Sequence, residues 1–206
     1  MEGINGCLNR LQLDYVDIIM AHRPDPWTPM EEVVRSFTQM INDGKAFYWG
    51  TSEWSAFEIE HAHHIASVHN LIAPIAEQPE YNLFARQRFE FEYEPLYRIY
   101  GYGTTTFSPL ASGLLSGKYN NGVPEDSRLA IKTNPLLKWL QDDLHSESGK
   151  AKIAKVKELS KIADELNGSV AALSLAWLLK NPNVSSVITG ASKPEQVTMN
   201  VKVSWV

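Results

Sequence analysis

Residues 15–52 read YVDIIMAHRPDPWTPMEEVVRSFTQMINDGKAFYWGTS and hold one complete strand–helix–strand unit. The apolar run Tyr15-Val16-Asp17-Ile18-Ile19-Met20-Ala21 has strand length, and the loop His22-Arg23-Pro24-Asp25-Pro26 ends it with two prolines. Thr28-Pro29-Met30-Glu31 then reads as a capping box with proline at the first helical position. Met30, Val33, Val34, Phe37, Met40 and Ile41 form one stripe of the helix, which stops at Gly44. A second strand, Ala46-Phe47-Tyr48-Trp49-Gly50-Thr51-Ser52, closes the unit. Two strands with a helix between them are the βα repeat of a parallel sheet.

The same alternation extends downstream. Ser55-Ala56-Phe57-Glu58 is a second capping box, and its helix runs to about Asn70. A third strand is expected over 75–78, followed by a helix through 86–97. The fourth is Thr104-Thr105-Thr106-Phe107-Ser108 and the fifth Val184-Ser185-Ser186-Val187-Ile188-Thr189. Between them residues 109–150, rich in Gly, Asn, Ser and Pro, read as a long functional loop. Residues 150–166 and 169–179 read as two helices broken at Asn167-Gly168. Five strands in βα order suit an open doubly wound sheet or a barrel, and the pattern leaves both open. No GxGxxG follows a strand, which counts against a Rossmann dinucleotide fold.

Composition sets outer bounds. The chain has 206 residues, 44% hydrophobic and 21% charged, enough apolar surface for a core, and its length suits a single domain over 1–206. A net charge of −5 argues against a nucleic-acid partner. Cys7 is the only cysteine, so there is no disulfide framework and a reducing, cytoplasmic location is expected. No run of about 18 apolar residues appears, so no direct insertion into a membrane is expected. The N-terminal MEGINGCLNRLQLD lacks the layout of a secretory signal.

In parallel α/β architectures ligands gather at the carboxyl ends of the strands. Those positions are His22, Ser52, Gln78, Phe107-Ser108 and Gly190-Ala191-Ser192. An imidazole can polarise a carbonyl. Ser52 and Gln78 carry the donors and acceptors that hold a carboxamide flat, and Phe107 offers a ring for stacking. Gly190 and Ser192 precede a short helix at Pro194 whose N–H groups could receive a phosphate, while Lys118 and Arg128 add positive charge for a pyrophosphate. This is the outline of a nicotinamide dinucleotide site without a Rossmann motif.

The motifs LQLDYVDIIMAHRPDPWTPMEE, YWGTSEWS, EQPEYN, FSPLASGLLSGKY and GASKPEQ resemble, in order and spacing, those of the aldo-keto reductase superfamily. The branch they are most similar to contains voltage-gated potassium channel β subunits and their plant and fungal relatives. The resemblance covers about residues 3–200. It implies a partial TIM (β/α)8 barrel, strands four to eight with their helices, and NADP(H) as cofactor. By the family's pattern Ser52 and Gln78 hold the nicotinamide amide and Phe107 stacks on the ring. Ser108, Pro109, Leu110, Ser112, Lys118 and Arg128 follow the diphosphate and adenosine, while Gly190, Ser192, Gln196 and Asn200 receive the adenosine phosphate.

Of the family's catalytic tetrad of Asp, Tyr, Lys and His, only His22 has a counterpart here. The other three belong to the first βα units, roughly 100 residues at about 30 per unit. Tyr15 and Tyr48 fall in expected strands and cannot take the donor role. Animal channel β subunits usually show Asn at the position of His22 and Arg at that of Glu53. The ending VKVSWV departs from the family, and a shortened gene model is expected at both ends.

Three functions follow from the resemblance: an NADPH-dependent reductase of small aldehydes or ketones, a channel-associated subunit sensing nicotinamide redox state, or a fragment without function. A homo-oligomer and a membrane channel are the protein partners it suggests. The chain as written is expected not to reduce carbonyls at a rate typical of the family. His61, His63, His64 and His69 read as a solvated helix face rather than a metal site. Cys7 reads as a buried small side chain, Val156, Leu159, Ile162, Ala163 and Leu166 as helix core, and the lysines of 150–161 as a solvated face.

Overall fold

The computed structural model describes residues 2–131 and 135–202. Met1 and the last four residues of VKVSWV therefore lie outside the described residues. Packing divides the chain into two units. The first comprises Met1–Glu80, Ala85–Phe107 and Pro182–Ser186; the second comprises Tyr81–Phe84, Ser108–Asn181 and Val187–Val206.

The first unit carries α1 (Glu2–Leu11), β1 (Val16–Ala21), α2 (Met30–Asn42), β2 (Ala46–Ser52), α3 (Ala56–His69), β3 (Ala76–Gln78), α4 (Glu94–Tyr100) and β4 (Gly103–Thr106). β5 (Ser186–Val187) adds to the edge of β4, and the sheet order is β1-β2-β3-β4-β5. The ladders β1–β2, β2–β3 and β3–β4 are parallel. A doubly wound sheet reverses direction at a switch point. This order never reverses, so the strands are wound as in part of a (β/α)8 barrel.

Side-chain alternation gives β2 two distinct faces. Trp49 and Thr51 point to the helices and are fully buried. Trp49 stacks on Phe37 of α2 at 4.7 Å between centroids, and its Nε1 donates to Ile72 O at 2.7 Å. Val34, Trp54, Ile59, Ala62, Ala66 and Leu96 complete this core. Gly50 faces the other way, where a Cβ would come within 2.6 Å of both Ala76 O and Met20 Sδ. Ser55 caps α3 as expected, accepting from Glu58 N while Glu58 returns a bond to Ser55 N.

Glu77 lies in the same helix-facing layer and is fully buried. Its carboxyl accepts from Thr51 Oγ1 at 2.5 Å, and Tyr93 Oη lies 3.4 Å from it. Burial pushes its pKa up from 4.5 to about 7, against the opposing pull of the Thr51 hydroxyl and the Glu53 and Trp54 backbone N–H groups.

The second unit holds 3-10 turns over Ala111–Ser116 and Arg128–Ala130, then α5 (Pro135–His145), α6 (Glu147–Glu165), α7 (Val170–Leu179) and α8 (Pro194–Lys202). Its core joins Leu114, Leu115, Tyr119, Leu129, Leu144, Val156, Ala163 and Val170. Ser146 and Ser169 cap α6 and α7 by accepting from the backbone N–H three residues on.

Several sequence expectations are corrected. Thr28 caps nothing: Pro29 is the N-cap of α2, and Thr28 Oγ1 donates instead to Asp25 Oδ2 at 2.7 Å. Within the stretch expected as a loop, residues 111–116 and 128–130 form 3-10 turns and 135–145 an α-helix, because Leu114, Leu115, Leu129 and Leu144 have a core to join. The helix expected through 86–97 is a π-helical turn, Arg88–Glu92, followed by α4. β4 stops at Thr106 and β5 spans two residues. Cys7 is exposed, as are Ile162 and Leu166. The lysines of 150–161 do form a solvated face, with Lys150, Lys155, Lys157 and Lys161 exposed and surface ion pairs from Lys150 to Glu147 and from Lys161 to Glu158. His63 stacks on Tyr100 at 3.9 Å, so the histidine face of α3 is partly packed.

Two predictions follow from this packing. Gly50→Ala should destabilise the chain by about 1–3 kcal/mol through overpacking, read as a lower urea midpoint at unchanged slope. For Glu77 the sign comes from its raised pKa. Below pH 4.5 the carboxyl is protonated in both folded and unfolded chain; from 4.5 to about 7 only the unfolded chain releases the proton. Stability therefore falls as pH rises through that window and levels off above it, a loss of up to about 3 kcal/mol. Urea titrations of wild type and Glu77→Gln should show this fall in their difference; a flat difference would mean that Glu77 ionises as an ordinary carboxyl.

Candidate functional site

Register decides which side chains meet at the rim of the first unit. Ala21 pairs with Thr51, Thr51 with Glu77, and Ser52 with Gln78. His22, Ser52 and Gln78 therefore lie side by side at one level and on one face, opposite to the buried Thr51 and Glu77. Neighbouring parallel strands are about 4.8 Å apart, so three such residues span roughly 10 Å. Phe107 continues this edge by a parallel bridge with Glu80, its N–H donating to Pro79 O at 3.0 Å.

The polar groups on this face are already linked. Ser52 Oγ donates to Gln78 O at 2.8 Å and accepts from Arg23 Nη1 at 3.1 Å. Arg23 Nη1 also donates to His22 O, which joins the ends of β1 and β2. Gln78 Nε2 reaches Thr105 Oγ1 at 3.5 Å. Ser52 is buried, whereas His22 and Arg23 are exposed. The loop beyond them is stiffened by Asp25, which accepts from Trp27 N at 2.9 Å and from Thr28 Oγ1.

Glu53 follows Ser52 with a φ of +59°, a conformation uncommon for a side-chain-bearing residue. Its carboxylate accepts from Glu80 N at 2.6 Å and pairs with Arg88 at 3.1 Å. Those contacts hold the chain in that conformation immediately after the rim residue. Glu53 is thus engaged within its own unit.

The second unit carries the remaining sequence-predicted residues. Ser108, Ala111 and Ser112 have φ of +53°, +47° and +57°, and Gly113 has +96°. Such clusters mark ligand-binding turns, and successive N–H groups in left-handed turns form concavities suited to anions. Asn82 Nδ2 braces this turn by donating to Ser108 O at 3.1 Å, while Pro109 is buried and Leu110 half-buried. Lys118 folds back across it: a Cβ on Gly113 would lie 2.9 Å from Lys118 Nζ. Lys118 is thus brought against Gly113, the residue that follows Ser112. Arg128 is exposed at the head of its 3-10 turn and has no ion pair among the described residues.

At α8 the N-terminal donors converge on one oxygen. Gln196 Oε1 accepts from Ser192 N at 2.8 Å, Ser192 Oγ at 3.3 Å and Lys193 N at 3.3 Å. Three donors aimed at a single oxygen form an arrangement that an anionic oxygen could occupy in its place. Gly190 is exposed with open space around its Cα, and Asn200 is half-buried on α8. Lys193 pairs with Asp126 at 3.4 Å.

Sequence reasoning missed Arg23, Asn82 and Asp25. Asp25 had a signal, since Asp-Pro-x-Thr is a local hydrogen-bonding turn. Arg23 and Asn82 had none, because their partners are 29 and 26 residues away.

The Aldo/keto reductase family model matches residues 1–205. A putative voltage-gated potassium channel subunit beta from Schizosaccharomyces pombe is 60% identical over 98% of this chain and 58% of that protein. A probable voltage-gated potassium channel subunit beta from Oryza sativa subsp. japonica is 51% identical over 98% of the chain and 60% of that protein. The solved glycerol dehydrogenase of Gluconobacter oxydans matches 100% of the chain and 58% of its own length, with TM-score 0.79 and 26% identity. The chain thus spans somewhat under two thirds of the relatives it matches. The family model covers nearly the whole chain, and the chain belongs to the aldo/keto reductase family.

Proposed function

We propose that the chain binds NADPH and, within the whole protein, serves the reduction of a small aldehyde or ketone. Members of the family generally use NAD(P)H. The observation that carries the reading is the placement of His22, Ser52 and Gln78 at one level and on one face of adjacent strands. Gln78 Oε1 and the second lone pair of Ser52 Oγ are acceptors for a carboxamide NH2 group. Phe107 supplies the apolar surface for the ring. Ser108, Pro109, Leu110, Ser112, Lys118 and Arg128 serve the diphosphate and adenosine. Gly190, Ser192, Gln196 and Asn200 serve the adenosine phosphate, with Gln196 Oε1 giving up its three donors.

When bound, the cofactor supplies the hydride. His22 would donate a hydrogen bond to the carbonyl oxygen, favouring the charge that develops there. The proton itself is expected from the family's Tyr, which has no counterpart in these residues. A single domain in the cytoplasm is the setting proposed, and no described helix is long and apolar enough to cross a membrane.

A second reading is favoured by the two relatives named as potassium channel β subunits: the same cofactor site on a subunit that attaches to a membrane channel. His22 favours the reductase, because a carbonyl-orienting imidazole serves chemistry rather than attachment.

Two measurements test the proposal. Titration should show NADPH binding about ten- to a hundred-fold more tightly than NADH, since a charge-assisted contact to the extra phosphate is worth roughly 1.5–3 kcal/mol. The Ser192→Ala, Lys118→Ala double variant should lose that preference, and equal binding of both cofactors by wild type would refute the NADP assignment. In the whole protein, His22→Asn should lower turnover far more than NADPH affinity. Parallel losses in both would make His22 a structural residue.

A further inference from the structure

We propose that Arg23 is a cofactor-positioning residue whose guanidinium donates to the carboxamide oxygen of the nicotinamide and favours the reduced cofactor. This rests on the reading that the chain binds NADPH.

The argument is an inventory of donors on one face. A carboxamide brings two N–H donors and one acceptor oxygen. The rim offers acceptors freely, but its donors are largely committed. The Ser52 hydroxyl hydrogen goes to Gln78 O at 2.8 Å, and Gln78 Nε2 is drawn towards Thr105 Oγ1 at 3.5 Å. His22 is assigned to the substrate carbonyl. Arg23 remains. Its Nη1 donates to Ser52 Oγ at 3.1 Å and to His22 O, which fixes the guanidinium beside the residue assigned to the amide. Its Nε and Nη2 have no partner among the described residues, and the group is exposed to an incoming ligand.

Its charge is also unbalanced. No ion pair to Arg23 is present among the described residues. Asp25, the acidic residue nearest in sequence, is occupied by Trp27 N and Thr28 Oγ1. An uncompensated cation beside the ring repels the positive pyridinium of the oxidised cofactor and tolerates the neutral reduced ring. A residue that merely latched β1 to β2 would not discriminate between them.

The test uses the full chain and three ligands: NADPH, NADP+ and 2′,5′-ADP, which lacks the nicotinamide. Arg23→Gln should weaken NADPH binding by about tenfold to a hundredfold. It should weaken NADP+ less and leave 2′,5′-ADP unchanged, so the preference for reduced cofactor shrinks. Arg23→Lys keeps the charge and should keep that preference. Equal losses for all three ligands, or no loss, would overturn the role of Arg23 while leaving the NADPH reading intact. Failure of wild type to bind any of the three would overturn both.

Discussion

The pairing of β2 with β3 at their carboxyl ends is the constraint on which the first unit depends. Thr51 lies opposite Glu77 and Ser52 opposite Gln78. Because side chains alternate along a strand, this register sends Thr51 and Glu77 into the helix-facing core and Ser52 and Gln78 to the other face. A slip of one residue would exchange the two sets, turning Ser52 and Gln78 into the helix-facing layer and the Glu77 carboxyl out of it. Core and candidate site are therefore specified by the same ladder.

That ladder is held from behind by polar and aromatic groups together. Trp49 is locked by the Phe37 stack and by its bond to Ile72 O, while Ile72 N donates to Thr38 Oγ1. Glu77 is a costly occupant of such a layer, since desolvation disfavours its charged form. Its partners are Thr51 and the backbone of Glu53 and Trp54, the residues on either side of Ser52. The buried carboxyl thus fixes the backbone from which Ser52 projects.

The second unit solves a different problem. Its candidate residues rest on backbone conformation and helix ends rather than on strand register. Ser108, Ala111 and Ser112 adopt left-handed conformations that only a surrounding framework sustains, here a leucine-rich core and the Asn82 brace. Gln196 satisfies the donors ahead of α8 through its own side chain, so those donors remain aligned without a ligand.

The sequence by itself determined the βα order, the bounds of β2, the capping of α3 and the identity of the rim residues His22, Ser52 and Gln78. These are legible because strand alternation, caps and strand ends depend on residues near one another in the chain. The family resemblance added expected roles for Ser108, Pro109, Leu110, Ser112, Gln196 and Asn200. Strand pattern left a doubly wound and a barrel order open; the resemblance implied the barrel, and the unbroken succession of strands bears it out. Tertiary structure alone decided that 135–145 folds into a helix, that Cys7 is exposed, and that Thr28 bonds Asp25 rather than α2. The Arg23 link to Ser52 and the burial of Glu77 against Thr51 belong to this second class. Each joins side chains more than 25 residues apart, and no local pattern in a sequence encodes which distant group will lie beside it.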